Sequence, residues 1–527
     1  MYKLYRKNIS LEEKEEFTSS SLNNKRIAKN TLMLYIRMGI SMLISLYTAR
    51  VVLNTLGVND YGIYNVVGGV VALFGFITSS MSTATSRFLT YDLGKNDIDS
   101  LKKTFSAAIT VHFLIALIIL VLTETIGIWF LENKLEIDPF RIKATRIVYQ
   151  FSIVNAIISI FLAPYTASVF SHERMNVYAI IEIIVVFLKL FAVILLKFTH
   201  SDKLILYAGM LLVVTFLHFI SYVIYCGRNF DECRFRLSDD KSKIMPMLCF
   251  SGWDLYGNMS VVARTQGVNI LLNIFFGTVL NAASGIATQI QSVLSSFATN
   301  IITAVRPQIV KSFAKNDNNY TISLIYNTTK FSSLLLLVIL VPVIIEMPFL
   351  LKIWLVNVPE YTTEISRLTL IFAFIANISS VIMSGIHATG KIKRSSIWNG
   401  TIYLLVIPFT YVAFKNNYSP IFPFILNSFL VAIGASLNVW YLSKYIKEFS
   451  FSFLMQKSII PTLLIGSISF ILCLFVKSHL KNEWISLILV LILSTYIIFQ
   501  LSYSFILNRN QRDIVKNYIV KWKNKNH

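Results

Sequence analysis

Residues 104–131 read TFSAAITVHFLIALIILVLTETIGIWFL, 28 residues in which Glu124 is the one formally charged side chain. As a helix rising 1.5 Å per residue, this stretch reaches about 42 Å, more than the roughly 30 Å of a bilayer's hydrocarbon core. It does not alternate with a period of two, as a strand of a membrane barrel does. The same texture recurs on both sides. Spans are expected at 27–53, 61–90, 104–131, 147–170, 177–196, 204–226, 246–276, 278–305, 331–351, 362–387, 395–414, 419–443, 458–476 and 484–507. The whole chain agrees: 55% of its 527 residues are apolar and 14% charged, with a mean hydropathy of +0.63, against about 45–50% and 25% in soluble domains. The fold class is an all-α polytopic membrane protein of about fourteen transmembrane helices.

The net charge of +21 would suggest nucleic acid in a soluble protein. In a membrane protein it is what the positive-inside rule places at cytoplasmic helix ends, and no nucleic-acid role is assigned. Loops and tails on the side of the N-terminus hold 31 Lys and Arg, those on the other side 10, and seven lie within spans. Both termini are therefore expected in the cytoplasm, in a multi-pass membrane protein. Residues 1–29 are polar, with no apolar core of a signal peptide, which leaves the first span as the targeting signal. Cys226, Cys233, Cys249 and Cys473 form no C-x-x-C pair and read as free thiols. In a cysteine-free background, a cysteine placed within 227–246 should resist an impermeant thiol reagent in intact cells, while one at Asn133 reacts. The opposite pattern would invert the topology.

The longest inner loop separates six spans from six. The chain reads as a cytoplasmic tail (1–26), an N-terminal half (27–226), a linker (227–245), a C-terminal half (246–443), two appended spans (444–509) and a basic tail (510–527). A gapless shift of 220 residues lays 57–97 over 277–317, matching Gly57 with Gly277, Thr83 with Thr303, Ala84 with Ala304, and Lys95-Asn96-Asp97 with Lys315-Asn316-Asp317. Both copies run a short outer turn, a long span and a basic inner loop. The repeat is parallel, as between the halves of many transporters.

The turn Leu56-Gly57-Val58-Asn59-Asp60-Tyr61-Gly62-Ile63-Tyr64-Asn65, with the Ser/Thr-rich run Thr78-Ser79-Ser80-Met81-Ser82-Thr83-Ala84-Thr85-Ser86 before Arg87, resembles the polysaccharide (O-antigen and capsule) flippases of the multidrug/oligosaccharidyl-lipid/polysaccharide exporter superfamily. The resemblance covers the twelve core spans through their number, six-plus-six division and short loops. It implies two six-helix lobes related by a pseudo-twofold, MATE-like, with two extra C-terminal helices. It also implies a central cavity working by alternating access and a polyprenyl-pyrophosphate-linked oligosaccharide as substrate. Polysaccharide polymerases or glycosyltransferases would be its partners.

Charge at membrane depth is costly and marks function. Arg37 stands mid-span with Ser41, Ser45 and Thr48 within roughly 80° on a helical wheel. In span 7, Asp254, Asn258, Thr265 and Asn269 share about 60°, with Arg264 at the margin. Arginine's planar fork suits a diphosphate, so Arg37 and Arg264 are candidate cavity cations; an Arg264–Asp254 ion pair is the structural alternative. Glu182 and Lys189, two turns apart, line the cavity or bridge helices. Arg50 guards the outer mouth, while Arg87 is read as an interfacial anchor. Gln289, Ser292, Ser296, Asn300 and Thr303 form a polar stripe on span 8. Pro164, Pro342 and Pro408 are candidate kinks, and His112, His218 and His387 read as isolated. No metal, cofactor or nucleotide motif is present.

Three functions compete. The first is flipping of a lipid-linked oligosaccharide for surface polysaccharide. The second is MATE-like cation or drug export, against which the first span's lack of an acid counts. The third is a membrane polymerase or glycosyltransferase, against which the short outer loops count.

Overall fold

The computed structural model of the chain describes residues 26–45, 47, 48, 51, 52, 54–57, 60, 63, 64, 67, 75–133, 139–199, 202–238, 240–355, 358–507 and 512. Among these there is no β-strand. The helices are α1 (Arg26–Ser45), α2 (Gly75–Lys95), α3 (Ile98–Leu122), which runs through a π turn into α4 (Ile128–Asn133), α5 (Ile142–Ser171), α6 (Met175–Leu195) and α7 (Lys203–Asn229). Then come α8 (Lys241–Phe276), α9 (Thr278–Ala314), α10 (Asn318–Ile345), α11 (Met347–Trp354), α12 (Thr362–Thr389), α13 (Lys393–Lys415), α14 (Phe422–Tyr445), α15 (Phe451–Leu454), α16 (Ile460–Ser478) and α17 (Glu483–Leu501).

Twelve helical stretches among the described residues are long and apolar enough to cross a membrane. Helices α2 and α9 form where spans 61–90 and 278–305 were expected, but their Ser, Thr, Asn, Gln and Arg content keeps them below that apolarity. Burial is inverted relative to a soluble bundle. Helices α16 and α17 bury Ser469, Cys473, Ser486 and Ser494 while Ile471, Phe475, Ile492 and Tyr496 stand 62–64% exposed. Small residues let helices approach, and large apolar ones face lipid.

The chain forms two compact units, Met1–Met259 with Ala304–Asp317, and Ser260–Thr303 with Asn318–His527. Boundaries of these units fall inside α8 and α9, which at 36 and 37 residues span about 55 Å and outrun a bilayer. In the first unit α5 packs on α7, α2 and α3 around Phe105, Tyr165 and Tyr222. In the second, α12 packs on α14 and α10, and α13 on α14; buried polar groups tie the last pair, where the Ser395 hydroxyl and Asn399 Nδ2 donate to Asn438 Oδ1 at 2.6 and 2.9 Å.

The two copies of the sequence repeat adopt the same local conformations. Gly57 and Gly277 both have φ +79°, and Asn96 and Asn316 have φ +56° and +61°, left-handed turns that glycine and asparagine adopt readily. Asp97 N–H donates to the Asp92 carbonyl at 3.3 Å, and Asp317 N–H to that of Ser312 at 3.0 Å, closing each helix alike. Equivalent positions also meet: a Cβ on Gly94 would lie 2.8 Å from the Ala314 Cβ and 2.9 Å from the Lys311 Cα. Gly94→Ala must therefore displace backbone, and a loss of about 1–3 kcal/mol is expected. Gly257→Ala, with nothing within 4 Å, should be neutral or mildly stabilising. Thermal unfolding of the two variants in detergent checks this. An unchanged midpoint for Gly94→Ala would refute the close approach.

Candidate functional site

Gly277 turns α8 into α9 as a tight hairpin, its N–H donating to the Asn273 carbonyl at 2.9 Å. The hairpin brings Ser284 to Asn269, whose Oδ1 accepts the serine hydroxyl at 2.9 Å. Against α12 and α14 these helices enclose a cavity of about 270 Å³ in the second unit, lined by Arg264, Thr265, Asn269, Ser284, Thr288, Gln291, Ser292, Ser295, Thr369, Phe372, Phe424 and Asn427 with Val261 and Val268. Arg264 is the one ionisable side chain in that lining.

Arg264 is 6% exposed. Its guanidinium carbon lies 4.9 Å from the Phe372 ring centre and 4.8 Å from that of Tyr403, and its Nε and Nη1 are buried with no hydrogen-bond partner. Among the described residues it forms no ion pair, so the Arg264–Asp254 alternative is not what the structure contains. Two cation–π contacts return about 1–4 kcal/mol against a desolvation penalty of several kcal/mol. The fork is held by rings, short of donors' partners, beside hydroxyls and amides. Such a lining offers a fixed positive charge and several neutral hydrogen-bonding groups to whatever occupies the cavity.

The first unit holds two further polar groups. Asp254 on α8 is 9% exposed. It accepts from Asn258 Nδ2 at 3.0 Å and from the Ser80 hydroxyl, while Asn258 Nδ2 also reaches Ser80 Oγ at 2.9 Å. Its electrostatic partner is Arg306, one residue beyond the expected span 278–305. The second group surrounds Arg37, whose guanidinium lies 5.1 Å from the Tyr178 ring centre and whose Nε is buried and unpartnered. Tyr178 lies within electrostatic reach of both Arg37 and Glu182, and Glu182 Oε1 sits 3.2 Å from His218 Nε2.

Several expectations change. Glu182 partners His218 on α7, not Lys189 on its own helix; Lys189 is exposed, and His218 is not isolated. The four cysteines are free thiols, as expected; the hydrogen bond the Cys233 thiol gives to Cys226, together with burial, pushes it above its usual range. On α9 the face that lines the cavity is Ser284, Thr288, Gln291, Ser292 and Ser295, roughly a quarter turn from the expected stripe. Gln289 is exposed and Asn300 buried, and neither is in that lining. Asp254 and Asn258 belong to the first unit, Thr265 and Asn269 to the second. Arg87 lies against the rings of Phe88, Tyr91 and Phe250 at 4.6–6.0 Å. Arg50 lies outside the described residues. The partners missed in the sequence, Tyr178, His218, Phe372 and Tyr403, carry no spacing signal, since each comes from a different helix than its arginine or glutamate.

No family model matches the sequence. Among curated proteins, the uncharacterized membrane protein EpsK of Bacillus subtilis (strain 168) is 19% identical over 304 residues, 56% of this chain and 59% of that protein; the match thus spans under two thirds of EpsK. Solved structures are far more similar in shape. An outward-facing multidrug resistance MATE family transporter of the MOP superfamily aligns with a TM-score of 0.71 at 12% identity, over 80% of this chain and 96% of that one. A MOP superfamily transporter from Pyrococcus furiosus, described with a binding pocket of reverse polarity suggesting a different function, aligns at 0.68 and 12%, over 82% and 96%. A MATE complexed with MaL6 aligns at 0.69 and 12%, over 81% and 96%. The chain is a multi-pass membrane protein with the MATE transporter fold.

Proposed function

We propose that this chain is a flippase that carries a polyprenyl-pyrophosphate-linked oligosaccharide across the cytoplasmic membrane by alternating access, supplying surface polysaccharide synthesis, with both termini in the cytoplasm. The observation that carries the reading is Arg264: a buried guanidinium with unused donors and, among the described residues, no carboxylate partner, in a cavity otherwise lined by hydroxyls, amides and apolar groups. A pyrophosphate crossing a low-dielectric region needs such a fixed cation, since an unpaired phosphate there is expensive. A pocket for organic cations needs the opposite charge. One transporter of this fold is itself described with a binding pocket of reverse polarity that suggests a different function.

The rival, cation export, has one observation in its favour: Asp254 is a buried carboxylate, hydrogen-bonded by Ser80 and Asn258 with Arg306 as its electrostatic partner. Complementation separates the two. In a strain lacking its own oligosaccharide flippase this chain should restore surface glycan, and in an efflux-deficient strain it should leave tolerance of cationic dyes unchanged. Dye tolerance without glycan would replace the flippase by the exporter.

A further inference from the structure

The two C-terminal helices do more than lengthen the chain. They pack on α10, burying Ile465, Cys473, Val490 and Ile498 against Leu334 and Leu337, and Gly466 lets α16 approach Leu337 so closely that a Cβ there would lie 3.0 Å from its methyls. At one end of this contact the connector from α14 folds back along α10. The Tyr326 hydroxyl donates to the Ser450 carbonyl and accepts from its N–H, both at 3.0 Å. Its ring packs on Phe449 and Phe453 at 5.2 and 5.0 Å, and the Ser458 hydroxyl donates to the Tyr326 carbonyl at 3.1 Å. Between them lies a cavity of about 640 Å³, lined from α10, from the connector with the turn that follows α15, and by Ile506 in the turn after α17. It falls within the size range of small-ligand sites.

Lys330 lines this cavity and is 6% exposed. Among the described residues it makes no hydrogen bond and no ion pair; its ammonium merely lies 4.9 Å from the Phe331 ring centre. Lys457 lines the opposite wall. The carboxylate in the lining, Glu448, is already engaged by Asn318 Nδ2 at 3.2 Å. A buried ammonium without a partner is costly in a folded chain unless a ligand supplies the anion. The cavity stands where the apolar run of α10 begins, at residue 331, hence at headgroup level. Ile322, Phe453 and Ile506 give it an apolar side, and Phe451 and Phe505 stand 50% and 78% exposed beside it.

We propose that this cavity binds the phosphate headgroup of an anionic glycerophospholipid, with Lys330 as its principal contact and Lys457 as the second. The site is independent of the transport cavity and of the flippase reading.

The test is binding to the purified full-length protein of three probes: short-chain phosphatidylglycerol, short-chain phosphatidylcholine and inorganic phosphate. Phosphatidylglycerol should bind at least about tenfold more tightly than phosphatidylcholine, and phosphate alone should bind too weakly to detect. Lys330→Met, which keeps length and removes the unpaired charge, should erase that preference, and Lys330→Arg should restore it. If Lys330→Met does not fold, Lys457→Met, at an exposed position, should weaken phosphatidylglycerol binding about threefold or more. Equal affinity for the two lipids, or a preference that survives both methionine variants, would overturn the proposal. Phosphate binding as tightly as the lipid would assign the lysines to a free anion and overturn the lipid site.

Discussion

Arg264→Ala should abolish most of the transport activity, by about 10- to 100-fold, while membrane abundance and thermal stability stay close to those of the parent. The magnitude is that of the charge-assisted hydrogen bonds a phosphate would lose, about 1.5–3 kcal/mol. The preserved stability follows from what Arg264 touches. Among the described residues it has no ion-pair partner to orphan, and its cation–π contacts are the rings of Phe372 and Tyr403; removing an unpaired buried charge relieves a desolvation cost. Arg264→Lys should keep part of the activity, since the charge remains while the planar fork and its stacking are lost. Surface glycan in a complemented deletion strain, beside protein quantified in the same membranes, gives both readouts. Loss of protein and glycan together would make Arg264 a packing residue.

Glu173→Lys should cost the first unit about 3 kcal/mol, the scale of breaking a buried pair, or roughly 5–10 °C in unfolding midpoint. Glu173 occupies the turn between α5 and α6 at φ +59°, a left-handed position unusual for a glutamate. From there its side chain, 8% exposed, accepts from Lys311 Nζ at 2.6 Å and from Gln308 Nε2 at 2.5 Å, and its carbonyl accepts from Asn30 Nδ2 at 3.3 Å. One residue thus ties α1 and the last turns of α9 to the α5–α6 turn. The reversed charge would face Lys311 directly. Adding Lys311→Glu should recover more than half of the lost stability. A double variant no better than the single one would show that the turn, not the pair, carries the effect.

How much of this was legible in the sequence depends on the range of the interaction concerned. The spans were legible because hydropathy is summed over twenty or more residues, and the repeat because Gly57, Gly277, Asn96 and Asn316 are residues that left-handed turns select. Arg264 and Arg37 stood out because charge is rare at membrane depth. Their surroundings did not. The rings beside Arg264 come from α12 and α13, the partner of Glu182 from α7, and that of Asp254 from α9, so no spacing along one helix encodes them. The stripe on α9 shows the limit: Ser292 was found, but with serine, threonine and glutamine on several faces, periodicity alone did not say which face the cavity takes.

The most direct measurement reconstitutes the purified protein into liposomes with a fluorescent polyprenyl-pyrophosphoryl oligosaccharide and follows its exposure to an impermeant glycosidase. The parent should render the inner-leaflet pool accessible with an imposed ion gradient or membrane potential, and Arg264→Ala should not, at equal reconstitution. No translocation by the parent under either driving force, or equal translocation by Arg264→Ala, would contradict a flippase whose cavity cation is Arg264.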